Sequence, residues 1–234
     1  MSRAFKNNRS GNSRNYFLYA IGEIILIVAG ILIALKINNY NEELKTKAVE
    51  DKLLSDLRIS LSTELQSVQR NINFNYRVIS SIDELGTHFE NNNTDTDTTI
   101  NLYGNALDWY NFTLESTAYE NIKRYGISFI ENDSLNFALN AIYEVQSPYM
   151  KQRLESQNFF FTQTIEPYLI KNFKITTDGP NGSKLYRPLN FSRLKKDQEF
   201  ANCLSITKAN RGNELFWLNW LKETMNLALS HLPA

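Results

Sequence analysis

The stretch YFLYAIGEIILIVAGILIAL, Tyr16 to Leu35, decides the architecture of this chain. It carries a single charged residue, Glu23, and at about 1.5 Å per residue a helix of this length reaches roughly the 30 Å of a bilayer hydrocarbon core. Tyr16, Phe17 and Tyr19 place amphipathic rings at one end, while Lys36 can snorkel at the other and Asn38, Asn39 and Asn41 return the chain to water. The run ends in Lys-Ile-Asn-Asn rather than a small-x-small cleavage site, which favours an uncleaved anchor over a signal peptide. The expected division is a basic tail over 1–15, a transmembrane helix over 16–37 and a soluble helical domain over 38–234.

Outward from the anchor, the tail holds Arg3, Lys6, Arg9 and Arg14 and no acid. On the far side Lys36, Lys45, Lys47 and Lys52 nearly match it in number, but they are interleaved with Glu42, Glu43, Glu50 and Asp51. The positive-inside rule then favours a cytoplasmic tail and a domain on the outer, periplasmic side, although acids weigh little in that rule.

A carboxyl group near the centre of a membrane helix costs up to about 3 kcal/mol and marks a functional position by default. At 100° per residue, Glu23, Ile27, Gly30 and Ala34 fall on one face, and Gly30 and Ala34 form a small-xxx-small pair. One use of that face is close packing against a partner helix or a second copy, with Glu23 hydrogen-bonded in the contact. The other is that Glu23 reaches the headgroup region and is merely tolerated.

The segment YAIGEIILIVAGILIALKINNYNEE, Tyr19 to Glu43, resembles the hallmark of the bacterial single-pass membrane proteins grouped as domain of unknown function 6090. Tyr40 stands where relatives commonly have Trp, and Lys36 where they often have Gln. A second stretch, Ser116 to Glu144, is similar to that family's pattern of a short helix, a Gly turn and an Asn-capped second helix. The resemblance implies a helical envelope protein of Gram-negative bacteria anchored in the inner membrane. It implies no activity and no catalytic residues.

Beyond the anchor, Leu54, Leu57, Leu61, Leu65, Val68, Ile72, Ile79 and Ile82 recur mostly at three- and four-residue steps, the stripe of a helix in a coiled coil or bundle. With no Gly or Pro between Ile31 and Leu85, anchor and stripe are expected to form one unbroken helical stalk. The polar run Asn91 to Thr99 is expected to be a loop. A short helix follows around Thr117 to Tyr125, which Gly126 can end. A longer one, capped at Asn132 or Asp133, turns Leu135, Leu139 and Ile142 inward. Pro148 and Pro167 are expected to kink or divide it.

Thr176 to Ser183 is turn-rich, with a short strand pair as one option through Pro188. The last helix carries Phe200, Leu204, Leu215, Leu218, Met225 and Leu229, with Gly212 as its weak point. The fold class is therefore mainly α: one transmembrane helix continuing into a bundle of about three long and two short helices, arranged up and down.

Chemistry is sparse in this sequence. His88 and His231 lie in no ligand spacing, so a zinc site or a His-based triad is not expected. Asp95 to Thr99 suggests a calcium loop, but Ile100 and Ala106 occupy the positions that need Gly and Glu. Glycines occur singly, which leaves no phosphate cradle. Pairs such as Glu42/Glu43 and Asp83/Glu84 lie on polar helix faces, and Cys203, the only cysteine, is expected to be an inert buried residue.

The net charge of zero, with the tail's basic residues set apart, leaves a mildly acidic remainder and argues against nucleic acid as a partner. Three consecutive phenylalanines, Phe159 to Phe161, cannot share one helix side, so at least one must meet a second element, a partner or solvent. No catalytic, cofactor or metal residue is assigned. The expected role is a non-enzymatic scaffold or interaction protein whose partners are the lipid bilayer and an envelope protein or a second copy. A periplasmic ligand-binding sensor signalling through a membrane partner is the alternative.

Overall fold

The computed structural model describes residues 12–91, 97–109, 112–126, 129–130, 132–177 and 184–233. The tail residues 1–11, the middle of the polar run at 92–96 and residues 178–183 lie outside the described residues, as do the side chains of 12–15. The protein is mainly α-helical and divides into two units, 1–52 and 53–234.

Helix α1 spans Asn12–Glu90. No proline interrupts it, and its three described glycines, Gly22, Gly30 and Gly86, are absorbed into the hydrogen-bonded ladder. In the first unit every side chain from Tyr16 to Val49 is exposed, and the helix includes an apolar stretch, Tyr16 to Leu35, long enough to cross a membrane.

In the second unit the stripe is buried much as its spacing requires. Leu57, Leu61, Val68, Ile72 and Ile82 are in the core, and Leu54, Leu65 and Ile79 pack against it in part. Phe74, Val78 and Leu85 extend the same face. Short helices α2 (Asp97–Ala106) and α3 (Thr117–Tyr125) follow. Helix α2 begins inside the polar run expected to be a loop, and it packs on the later β-hairpin. Gly126 ends α3 at φ 123°, a backbone region that glycine enters without the Cβ clash other residues meet.

The second long helix departs from expectation at its prolines. The chain stays helical through α4 (Asp133–Asn140), a π segment (Ala141–Gln146), α5 (Ser147–Phe160), a second π segment (Phe161–Ile165) and α6 (Glu166–Asn172). Proline lacks an N–H, and its ring clashes with the carbonyl four residues back, here those of Glu144 and Gln163. Both carbonyls lie in a π segment, where the ladder has shifted by one residue. Ser147 N–H donates to Ile142 O, and Glu166 N–H donates to Phe161 O, each one residue before its proline. The widened turns take up the misfit that would otherwise divide the helix.

Strands β1 (Phe173–Thr176) and β2 (Leu185–Pro188) form an antiparallel hairpin. A one-turn helix α7 (Phe191–Leu194) leads to α8 (Gln198–His231), whose first turn is capped by Asp197 accepting from Glu199 N and Phe200 N. Gly212 does not weaken α8 visibly, since the helix is continuous there and a Cβ would meet open space.

Helix α8 runs antiparallel to α1. Arg58 donates to the carbonyls of Leu229, Leu232 and Pro233, Lys222 to Gln69, and Lys208 pairs with Asp83, so one sequence rises as the other falls. The second long helix instead runs parallel to α1: Tyr143 meets Glu64, and Ile165, Tyr168 and Leu169 share a cluster with Phe74 to Leu85. The bundle is thus up, up and down rather than alternating, because the crossover carrying α2 and α3 returns the chain to the starting end.

The core lies in two clusters. One gathers Leu57 to Ile72, α3, α4, the first π segment and the C-terminal half of α8; the other gathers Phe74 to Leu85, α2, α6, the hairpin and the start of α8. Leu218 is fully buried in the first cluster, whereas Phe159 is 68% exposed. Leu218→Ala should therefore lower unfolding free energy by about 2–5 kcal/mol. Phe159→Ala should change it by about 0.5 kcal/mol or less. Denaturant titration of the full chain in detergent, followed by circular dichroism, checks both.

Candidate functional site

Glu23, Ile27, Gly30 and Ala34 occupy successive turns of α1, and all four are exposed, with nothing within 4 Å of a Cβ built on Gly30. They share a face by helix geometry alone.

The second unit holds polar groups that the pattern of apolar residues passed over. Between the two core clusters lies a buried polar layer. Arg211 Nη1 donates to Glu214 Oε2 at 2.9 Å, with both side chains under 5% exposed. Asn71 Nδ2 donates to Glu214 Oε1 at 3.3 Å, and Asn75 Nδ2 donates to Asn71 O and Oδ1. The Arg211 guanidinium lies over the rings of Phe74 and Trp109 at 5.3 and 5.0 Å, and its Nη2 donates to Asp108 O. Trp109 in turn stacks on Phe161, and the Asp108 carboxylate accepts from Arg77 at 3.0 Å.

This layer answers an expectation about the aromatic groups. Phe160 and Phe161 pack against the second cluster while Phe159 faces solvent, so the three phenylalanines divide as their 100° spacing demands. A cavity of about 20 Å³ beside Arg211, lined by Trp109, Gln157, Phe161 and Thr207, and another of about 10 Å³ against Glu214, Arg153 and Trp217, are each about the size of one water. The layer fastens α1, the 107–109 segment and α8 together.

A second buried group stands at Glu64, 6% exposed. Its oxygens accept from Ser60 Oγ at 3.0 Å and Tyr143 Oη at 3.2 Å. Burial pushes its carboxyl up from the usual 4.5 to about 7; the two hydroxyl bonds counter that rise and nearby Glu115 adds to it. The Tyr143 phenol is driven up by the same burial and by the Glu64 charge, and its ring stacks on Tyr119 with centroids 4.5 Å apart.

The histidines serve separate corners: His88 Nε2 lies 3.4 Å from Thr99 Oγ1, and His231 Nδ1 lies 3.3 Å from Asn132 Nδ2. Cys203 is buried in α8, and burial raises its thiol, with Glu199 and Asp197 adding to the rise. Among the described residues, no group of three or more His, Cys, Asp and Glu is placed to hold a metal ion.

Set against known proteins, the chain matches no family model, no curated protein and no solved structure. What the site can do is therefore read from its own geometry.

Two larger recesses are open to the surface. One of about 420 Å³ lies between the 112–114 segment and α5, with Phe112, Leu114, Met150 and Leu154 as its apolar lining and Lys151 and Glu155 among its polar residues. The other, about 440 Å³, lies where α1, α7 and α8 meet and is crossed by the Asp83–Lys208 pair.

The polar layer was findable from sequence: Arg211 and Glu214 continue the 204, 207, 215, 218 stripe of α8, and Asn71 and Asn75 continue that of α1. Charged or amide residues on an apolar stripe are the signal. Removing one partner of a buried pair leaves the other charge uncompensated. Arg211→Met alone should cost about 3–5 kcal/mol of stability. Arg211→Met with Glu214→Leu should regain most of that loss, and a double-mutant cycle by denaturant titration measures the difference.

Proposed function

We propose that this chain is a membrane-anchored, non-enzymatic interaction protein: α1 fixes it in a bilayer through Tyr16 to Leu35, and its helical unit meets another envelope protein or a second copy. One observation carries the reading: the whole of that stretch is apolar, apart from Glu23, and exposed. An uncovered apolar surface of this size is unfavourable in water and favourable in lipid. The resemblance of Tyr19 to Glu43 to inner-membrane proteins of Gram-negative bacteria supports the same placement. The tail's basic residues support a cytoplasmic N-terminus and a periplasmic helical unit. The buried ionisable groups Arg211, Glu214 and Glu64 are engaged with one another or with hydroxyls, which suits a structural use better than catalysis.

A second reading, a ligand-binding sensor, is favoured by one feature, the 420 Å³ recess over α5, which falls within the size range of small-molecule sites. A metabolite retained in the mass spectrum of the purified full-length protein would favour the sensor. In-cell crosslinking that captures a defined envelope protein or a dimer, with no small molecule, favours the interaction role.

The membrane face gives a residue-level expectation. Gly30→Ile should crowd close helix packing and weaken association in a membrane two-hybrid assay, and Glu23→Leu should weaken it more than Glu23→Gln, which keeps a hydrogen-bonding group. Ile25→Leu, on another face, should change little. Alkaline extraction verifies insertion of each variant. Indifference to Gly30→Ile and Glu23→Leu at normal insertion would remove the membrane helix from the interaction, and release of wild type by alkali would remove the anchor. A reporter active only outside the cytoplasm, fused after Ala234, should work; activity of a cytoplasm-only reporter there reverses the orientation.

A further inference from the structure

Among the described residues, no cation is paired with the buried carboxyl of Glu64. The groups packed around it can be named element by element. From α1, Ser60 donates to one oxygen, while Arg58 spends its guanidinium on the carbonyls of Leu229, Leu232 and Pro233. From the first π segment, Tyr143 donates to the other oxygen. From the segment before α3 comes a second acid, Glu115. From α3, Tyr119 stacks on Tyr143, and Lys123 is held by Glu144 and Glu120. From α8, Leu218, Leu221 and Met225 share the cluster, and Lys222 donates to Gln69.

A buried charge faced only by hydroxyls, a second acid and apolar side chains is disfavoured by desolvation with nothing to offset it. The neutral acid keeps both bonds, because each hydroxyl can accept as well as donate. We propose that Glu64 is a proton-operated latch: its neutral carboxyl tolerates the dry, closed packing of Tyr143 and the stacked Tyr119 of α3 against α1, and its ionisation, which calls for water, loosens that corner while the Arg211–Glu214 layer stays closed.

The sign follows from linkage. The folded carboxyl titrates near 7 and the unfolded one near 4.5, so the closed corner is fully favoured below about 4.5 and loses that support as pH rises through about 7. The corner yields first because residues 112–116 have no regular secondary structure and α3 has nine residues, which leaves few backbone constraints to break.

The test is hydrogen exchange of the full-length protein in detergent micelles at roughly pH 5.5 and 8.5, with times scaled for intrinsic exchange. Peptides from 112–125 should lose roughly tenfold in protection at the higher pH, and peptides from 204–218 should not. E64Q should hold the corner closed at both. Y143F removes a bond that favours the ionised form and should move the midpoint upward while keeping the transition. In wild type alone, the infrared band of a protonated carboxyl should vanish with a midpoint near 7. Protection in wild type that does not depend on pH, a loss in E64Q equal to that of wild type, or no carboxyl titrating near 7 overturns the latch.

Discussion

The Arg211–Glu214 pair is the interaction on which the rest of the helical unit depends. It is buried, so its cost in lost hydration is met only by close geometry and by further donors and acceptors. Those come from three places: Asn71 on α1, the carbonyl of Asp108 in the crossover, and the faces of Phe74 and Trp109. Sliding α8 along α1 by one turn would carry the pair away from Asn71 and from the Asp108 carbonyl and leave buried polar groups without partners. Apolar stripes alone tolerate such a slip, since leucine can replace leucine at the next turn. The polar layer therefore selects the register, and the ion pairs and carbonyl contacts above and below it follow the same register.

A similar logic applies to the second long helix. Two prolines in a buried helix would ordinarily cost hydrogen bonds and create steric conflict. Here each is preceded by a π segment, which also carries side chains the fold uses: Tyr143 and Gln146 in the first, Phe161 and Ile165 in the second. Gln146 donates to Thr224 of α8, and Phe161 supports Trp109 beneath the Arg211 guanidinium. Inserting one residue per turn rotates everything downstream by about 100° relative to a regular helix. The apolar periodicity of this helix is correspondingly irregular: its buried positions pass from 142 and 143 to 146, then 150, 157 and 165.

That irregularity marks the limit of what the sequence shows by pattern. The anchor, the α1 stripe, the Gly126 stop, the Asn132 cap and the α8 stripe follow from local rules, and each was legible because one residue type does one thing there. The parallel course of α1 and the second long helix was not, because direction depends on the path of a crossover whose short helices carry weak signals. Helix α2, starting at Asp97 within a polar run, is an example. Of the candidate site, the Glu23–Ala34 face was legible by angle, since it needs only helix geometry. The buried polar layer and Glu64 were missed because reading for apolar spacing treats Asn71, Arg211 and Glu64 as interruptions, when their positions on the stripes were the informative feature.

Arg211–Glu214 and Glu64 show two ways for one bundle to place ionisable groups in its interior, with opposite consequences. In the pair, each charge compensates the other, so removing either side chain leaves its partner buried and uncompensated. Glu64 has hydroxyls instead of a cation, and the same burial works on its proton rather than on a partner. The pair lies at the centre of the unit, tied to α1, α8 and the crossover; the lone acid lies at a corner where a nine-residue helix and an irregular segment close over it. A fold that needed only stability would do as well with leucine at position 64, which fits the apolar stripe on either side. Keeping a carboxyl there sacrifices stability at neutral pH, and what it adds is a dependence of local packing on the proton.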